Sequence, residues 1–120
     1  MINIIVKKET NQNNNEVVIK RILIKGHADY AEYGKDIVCS SVSSMVILAI
    51  NIIGEIDKNA IKYTQKDSYT QSHEPNTSLI EIVNLMNNEG ANKVLKTLVN
   101  MLKQLANDYP ENIRIRNEEN

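Results

Sequence analysis

Hydrophobic and polar positions alternate weakly from Ile2 to Lys8, with Ile and Val at most of the apolar places, which predicts a β-strand. A polar run of Asn and Gln, Thr10 to Asn15, reads as a hairpin loop. Alternation resumes from Glu16 to Lys25, with Val17, Ile19 and Leu23 on one face and Val18 and Ile22 on the other. Gly26 to Lys35 breaks the pattern and is the longest irregular stretch, the kind of loop that often carries function. From Ile37 to about Asp57 the spacing turns helical: Val38, Val42, Met45, Val46, Ala49, Ile52, Ile53 and Ile56 recur at threes and fours. Its middle, Met45 to Ile53, is apolar nearly all round, so this helix is expected to bury more than one face, between layers or against a second subunit. Two further strands, Ala60–Gln65 and Thr77–Leu85, flank a polar loop. A second helix, about Asn88 to Asn107, carries the stripe Val94, Leu95, Leu98, Val99, Leu102 and Leu105. Pro110 stops it, and Ile113 to Arg116 alternates as a short edge strand. The order β-β-α-β-β-α-β predicts an α+β fold, a mostly antiparallel sheet packed with two helices.

The 120 residues are expected to form one domain spanning 1–120. The longest apolar run, Met45 to Ile50, is far below the roughly 18–20 residues of a membrane span. The N-terminal residues lack the features of a signal peptide, so membrane and secreted classes are set aside. Fourteen basic residues face fifteen acidic ones, interleaved along the chain, so direct nucleic acid binding is not expected. A single cysteine, Cys39, excludes an internal disulfide and a thiolate-rich metal site, and it suits a reducing cytoplasm. No cofactor or metal is implied.

One stretch carries specific chemistry: Gly26-His27-Ala28, then Gly34-Lys35-Asp36-Ile37-Val38-Cys39, then Ser43. A cysteine reacts as its thiolate, and both a helix N-terminus and a neighbouring histidine favour that form. Asp36 suits an N-cap immediately before the helical pattern, which would make Cys39 the third helical residue, near the positive end of the dipole. Ser43 follows one turn later on the same face. His27 stands where a strand gives way to the loop, and twelve positions separate it from Cys39, enough to return and set imidazole beside thiol. Gly26 and Gly34 allow backbone shapes and a hinge that other residues resist. Each residue also has a plainer reading: a lone cysteine as a small buried hydrophobe, a lone histidine as solvated, Asp36 as a cap only, Ser43 as a space-filler. His73, the other histidine, reads as solvated surface.

The block Gly26-His27-Ala28-Asp29-Tyr30-Ala31-Glu32-Tyr33-Gly34-Lys35-Asp36-Ile37-Val38-Cys39, with Val42-Ser43, resembles the signature of the bacterial ribosomal-processing cysteine proteases, the Prp family. The likeness continues through Ile50-Asn51 and Leu105-Ala106-Asn107-Asp108-Tyr109-Pro110. It implies a single cysteine protease domain with Cys39 as nucleophile and His27 as general base. It implies that Asp36 and Ser43 handle substrate and that Gly26 and Gly34 bound a mobile loop. The implied substrate is the N-terminal extension of large-subunit ribosomal protein number twenty-seven, cut after an aromatic pair and before a small residue, and the implied assembly is a homodimer. Ser40-Ser41 and Ser44-Met45 depart from the small apolar residues and the leucine usual in the family. Asp29 and Asp36 both stand as orienting partners for the imidazole.

Two other functional classes remain open on the residues: a non-catalytic ribosome-assembly factor that binds a ribosomal protein's tail, and a thiol enzyme of another reaction type. The joint presence of His27 and Cys39 favours the protease, because a pure binder requires neither. The segment Ala28 to Lys35, with few apolar anchors, is expected to act as a lid hinged at Gly34.

Overall fold

The computed structural model describes residues 1–26, 35–69 and 75–118. His27, Gly34, His73 and nearly all of the expected lid lie outside the described residues. In the first hairpin, β1 (Ile2–Thr10) and β2 (Val17–Gly26) are joined by the asparagine run. Asn11 Oδ1 accepts the Asn13 N–H at 2.9 Å and Asn14 Oδ1 accepts the Glu16 N–H at 2.9 Å, while Asn15 takes a left-handed φ of 56°. The run is therefore turn chemistry, as its composition predicts.

The remaining elements are α1 (Lys35–Ile56), β3 (Ile61–Tyr69), β4 (Pro75–Asn84), α2 (Glu89–Asp108) and β5 (Ile113–Asn117). The sheet order is β3-β4-β2-β1-β5. Three pairings are antiparallel, and β5 lies parallel to β1 at the edge. This is the expected α+β class. β3 and β4 run further toward each other than their hydrophobic pattern predicts, because Lys66 to Tyr69 and Pro75 to Asn76 are polar or unpatterned yet belong to the strands.

One bulge changes the reading of β2. Lys7 pairs with Arg21 and Lys8 with Ile19, so Lys20 is an extra residue opposite the junction. A bulge shifts the alternation by one place, and Ile19, Ile22 and Ile24 therefore all face the core. The expected faces, with Ile19 opposed to Ile22, are corrected by that single insertion. Before Arg21, β2 has no β4 partner in the ladder, and two buried asparagines take the place of the missing strand. Asn92 Oδ1 accepts the Ile19 N–H at 2.9 Å, and Asn84 Nδ2 donates to the Ile19 carbonyl at 3.0 Å. Asn92 Nδ2 also donates to the Val17 carbonyl at 3.1 Å.

Both helices contribute to one hydrophobic core with the strands. From α1 come Val38, Val42, Val46, Ala49 and Ile53, a row at spacings of four, four, three and four. From α2 come Ala91, Leu95, Leu98, Val99, Leu102 and Leu105. Asn88 caps α2 by accepting the Ala91 N–H at 3.0 Å, and Glu89 in its first turn suits the dipole. By length and hydropathy alone, Ile37–Ile56 would suffice for a membrane span, which the apolar-run count misses because serines interrupt the run. Here its buried row packs into the core, while Ile37, Ile47, Leu48, Ile52 and Ile56 remain exposed.

Candidate active site

β2 ends at Gly26, paired with Ser78 of β4 at one end of the sheet. The reason for glycine there is proximity. A Cβ at Gly26 would lie 2.9 Å from Ile2 Cγ1 and 3.3 Å from Ile2 Cα, closer than packed carbons tolerate. Gly26 thus lets β1 and β2 close together at the point where the chain leaves toward His27, a packing role beside the hinge role expected from sequence.

Cys39 is placed by its neighbours on α1. Val38 and Val42 are driven into the core, with 0% and 3% of their surface exposed, and this fixes the helix's rotation. Cys39 then falls on the flank of the buried row, half-buried against the core margin. That position keeps the sulfur at the border between apolar interior and surface. Ile24, two residues before Gly26, and Val38, next to Cys39, belong to the same core cluster. The end of β2 and the start of α1 are thereby tied to one packed body.

α1 begins at Lys35, ahead of the expected start at Ile37. Asp36, expected as N-cap, lies inside the first turn, and Cys39 is the fifth helical residue instead of the third. Apolar spacing cannot detect a polar first turn, which accounts for the difference. The first amides of a helix have no i−4 partner within it, so the uncommitted amides of α1 lie in its first turn, ahead of Cys39. Ser43, one turn beyond Cys39, is exposed, as are Ser40 and Ser44, while Ser41 is half-buried. Of these, Ser43 at i+4 shares the helix face of Cys39.

Gly26, Asp36, Cys39 and Ser43 are thus described on two elements of one body, and His27 and Gly34 fall outside the described residues. Among the described residues no group of three or more His, Cys, Asp or Glu side chains is placed to hold a metal ion. The buried amides Asn84 and Asn92 carry structural roles that nothing in the sequence distinguishes among seventeen asparagines.

Comparison with known proteins identifies the family and the fold. The chain is 31% identical over 104 residues to the ribosomal processing cysteine protease Prp of Staphylococcus aureus, covering 85% of this chain and 90% of that protein. Its fold matches the crystal structure of an essential ribosomal processing protease Prp from S. aureus in complex with a substrate peptide. The TM-score is 0.70 at 24% identity, covering 98% of this chain and 100% of that one. A Streptococcus mutans crystal structure matches with a TM-score of 0.74 at 18% identity, covering 98% and 93%. The family model for the cysteine protease Prp matches residues 1–114, and with that span and the 31% identity the chain belongs to the cysteine protease Prp family.

Proposed function

We propose that this protein is the cytoplasmic endopeptidase that removes the N-terminal extension of large-subunit ribosomal protein number twenty-seven during ribosome maturation. The observation that carries the reading is the position of Cys39: a half-buried thiol near the start of α1, within the one sequence block that also holds His27. Support for the substrate comes from the S. aureus relative, whose name specifies ribosomal processing.

In this reading His27 accepts the thiol proton and the Cys39 sulfur attacks the scissile carbonyl carbon. The first-turn amides of α1 are the candidate donors to the developing oxyanion. The imidazolium returns its proton to the leaving amine as the C–N bond breaks, which leaves a thioester on Cys39. Water, deprotonated by His27, then attacks the thioester, releasing the new carboxylate and restoring the thiol. Asp36 and Ser43 would contact substrate at the two ends of this segment of α1, and Gly26 and Gly34 would bound the loop between the two reacting groups.

The assembly expected with this activity is a homodimer. Leu48 is 62% exposed and Ile47 54% exposed on α1, and Met45, Leu48, Ile52, Val94 and Met101 line an apolar groove of about 300 Å³ between α1 and α2. Such a surface on a small domain suits burial against a second copy. The whole chain is read as a single cysteine protease domain.

The deciding experiment incubates the protein with the full-length precursor of the ribosomal protein and follows intact mass. Expected is one cut that removes the extension, absent with Cys39→Ala. Retention of the uncut precursor with active, folded protein would reject the substrate. Binding of the extension without cleavage, equal in both proteins, would favour an assembly factor instead.

A further inference from the structure

We infer that the sheet face turned away from the helices is a docking surface for the sugar-phosphate backbone of double-helical RNA. The sheet register sorts charges that the linear sequence interleaves. Side chains alternating with the core residues Ile2, Ile4, Val6, Ile22, Ile24, Ile80 and Ile82 point to the opposite face. Across the five strands, one row reads Arg114, Asn3, Lys25, Leu79, Lys66. The next reads Arg116, Ile5, Leu23, Glu81, Thr64, and a third reads Lys7, Arg21, Val83, Lys62. All three arginines of the chain stand on this face, with four lysines.

Among the described residues three acids share the face: Glu9 beyond the bulge, Glu81 and Glu118. Two of these are engaged by Arg21, at 2.6 Å to Glu81 and 3.6 Å to Glu118. Among the described residues no ion pair holds the other six cations. In a chain with a net charge of −1, this face thus carries seven cations against three acids among the described residues, a local excess of positive charge. Five strands spaced about 4.8 Å apart give a platform about 19 Å wide, with cations repeating along it at two-residue steps of about 6.6 Å. That is a grid suited to a run of phosphates.

The same face argues against other polyanions. Its apolar side chains, Ile5, Leu23, Leu79 and Val83, are all at least half-buried, and Leu23 is only 8% exposed at the centre. Nothing there could insert into a lipid surface. No aromatic side chain is described on the face, so base stacking with single strands is absent from its chemistry, and backbone contact with a duplex is what it offers. Lys25 adjoins Gly26, so the basic surface reaches the end of the sheet where the chain departs for His27. The choice of RNA over an acidic protein rests on the proposed ribosomal substrate, which would present its extension on an RNA-rich particle.

The experiment measures binding of a fluorescent RNA hairpin by anisotropy across a salt series, with poly-glutamate and vesicles of anionic phospholipid as parallel probes. The variant Lys62→Gln/Lys66→Gln/Arg114→Gln/Arg116→Gln is compared with Lys58→Gln/Lys93→Gln/Lys96→Gln/Lys103→Gln, which removes as much charge from the helix side. Expected for the face variant is at least a tenfold loss of RNA affinity at low salt and a log–log salt slope shallower by about 3 to 4. The helix-side variant should keep the parent slope, and Arg114→Gln/Arg116→Gln alone should flatten it by about 2. Peptide cleavage, read in parallel, should be unchanged in every variant, so the RNA reading and the protease reading can fail separately. The RNA inference is overturned by no hairpin binding at low salt, by equal losses in the two quadruple variants, or by tighter binding to poly-glutamate or vesicles.

Discussion

Gly26 packs against Ile2 so closely that a single added carbon would meet its Cγ1 at 2.9 Å and its Cα at 3.3 Å. The contact joins the first residue of β1 to the last residue of β2, immediately before His27. The Ile2 backbone has little room to retreat, since it pairs with Ile113 of β5 and its N–H donates to the Asn112 carbonyl at 2.8 Å. Gly26→Ala should therefore cost about 1–3 kcal/mol by overpacking, read as a lower urea midpoint. It should also reduce cleavage, because the strand end that leads into the loop is displaced. An unchanged midpoint would show that the neighbours yield freely and that glycine is there for another reason.

The chemistry and the fold separate cleanly on α1. Cys39 is half-buried at the margin of the core, so Cys39→Ser changes little of the packing but removes the proposed nucleophile. Cleavage should fall to background while the melting temperature stays within a few degrees of the parent's. His27→Ala should likewise lose cleavage. Ile53→Ala on the same helix, fully buried, should do the opposite. It should lose about 2–5 kcal/mol of stability, while the folded fraction retains activity. Calorimetry paired with a peptide-cleavage assay distinguishes the two classes.

How much of this could be read from the sequence depends on how strongly each element is patterned. The stripe of α2 is clean: Leu95, Leu98, Val99, Leu102 and Leu105 are buried as expected and the Asn88 start agrees to within a residue, whereas Val94 is only half-buried and the buried Ala91 and Asn92 fall outside the stripe. The phase of β2 could not be read, because a bulge at Lys20 leaves no mark on composition but reverses every side chain beyond it. The helix start before Asp36 escaped for a related reason: a polar first turn adds nothing to an apolar stripe. At the site, the block around Cys39 was legible as chemistry, whereas the packing need for Gly26 required knowing that Ile2 lies beside it. The basic sheet face is a property of register, and no window along the chain reveals it.

Asn92 accounts for a second hidden requirement. Its side chain takes the Ile19 N–H and donates to the Val17 carbonyl, on the stretch of β2 that β4 does not reach. Asn92→Leu keeps the branched shape but leaves the Ile19 N–H buried without its partner. The Val17 carbonyl, by contrast, belongs to an exposed residue and can turn to water. The expected loss is about 1–3 kcal/mol. Hydrogen exchange should localise it, with faster exchange at the Ile19 amide than in the parent. Full protection of that amide in Asn92→Leu would contradict the account.

The exposed apolar surface of α1 leads to the last prediction. Val38, Val42, Val46, Ala49 and Ile53 fill the core, while Ile47, Leu48 and Ile52 leave about half of their surface in water. Leaving those parts in water forgoes about 0.6–2 kcal/mol each that a second copy could recover. Leu48→Glu therefore separates assembly from folding. In the monomer the carboxylate would point to solvent at a position 62% exposed, at little cost to stability. In a dimer packed through this face it would be buried without a partner, which is strongly unfavourable. Light scattering should report a dimer for the parent and a monomer for Leu48→Glu, with the same far-ultraviolet spectrum for both. A Leu48→Glu protein that remained dimeric would place the subunit contact elsewhere, and a monomeric parent at about tens of micromolar would remove the dimer altogether.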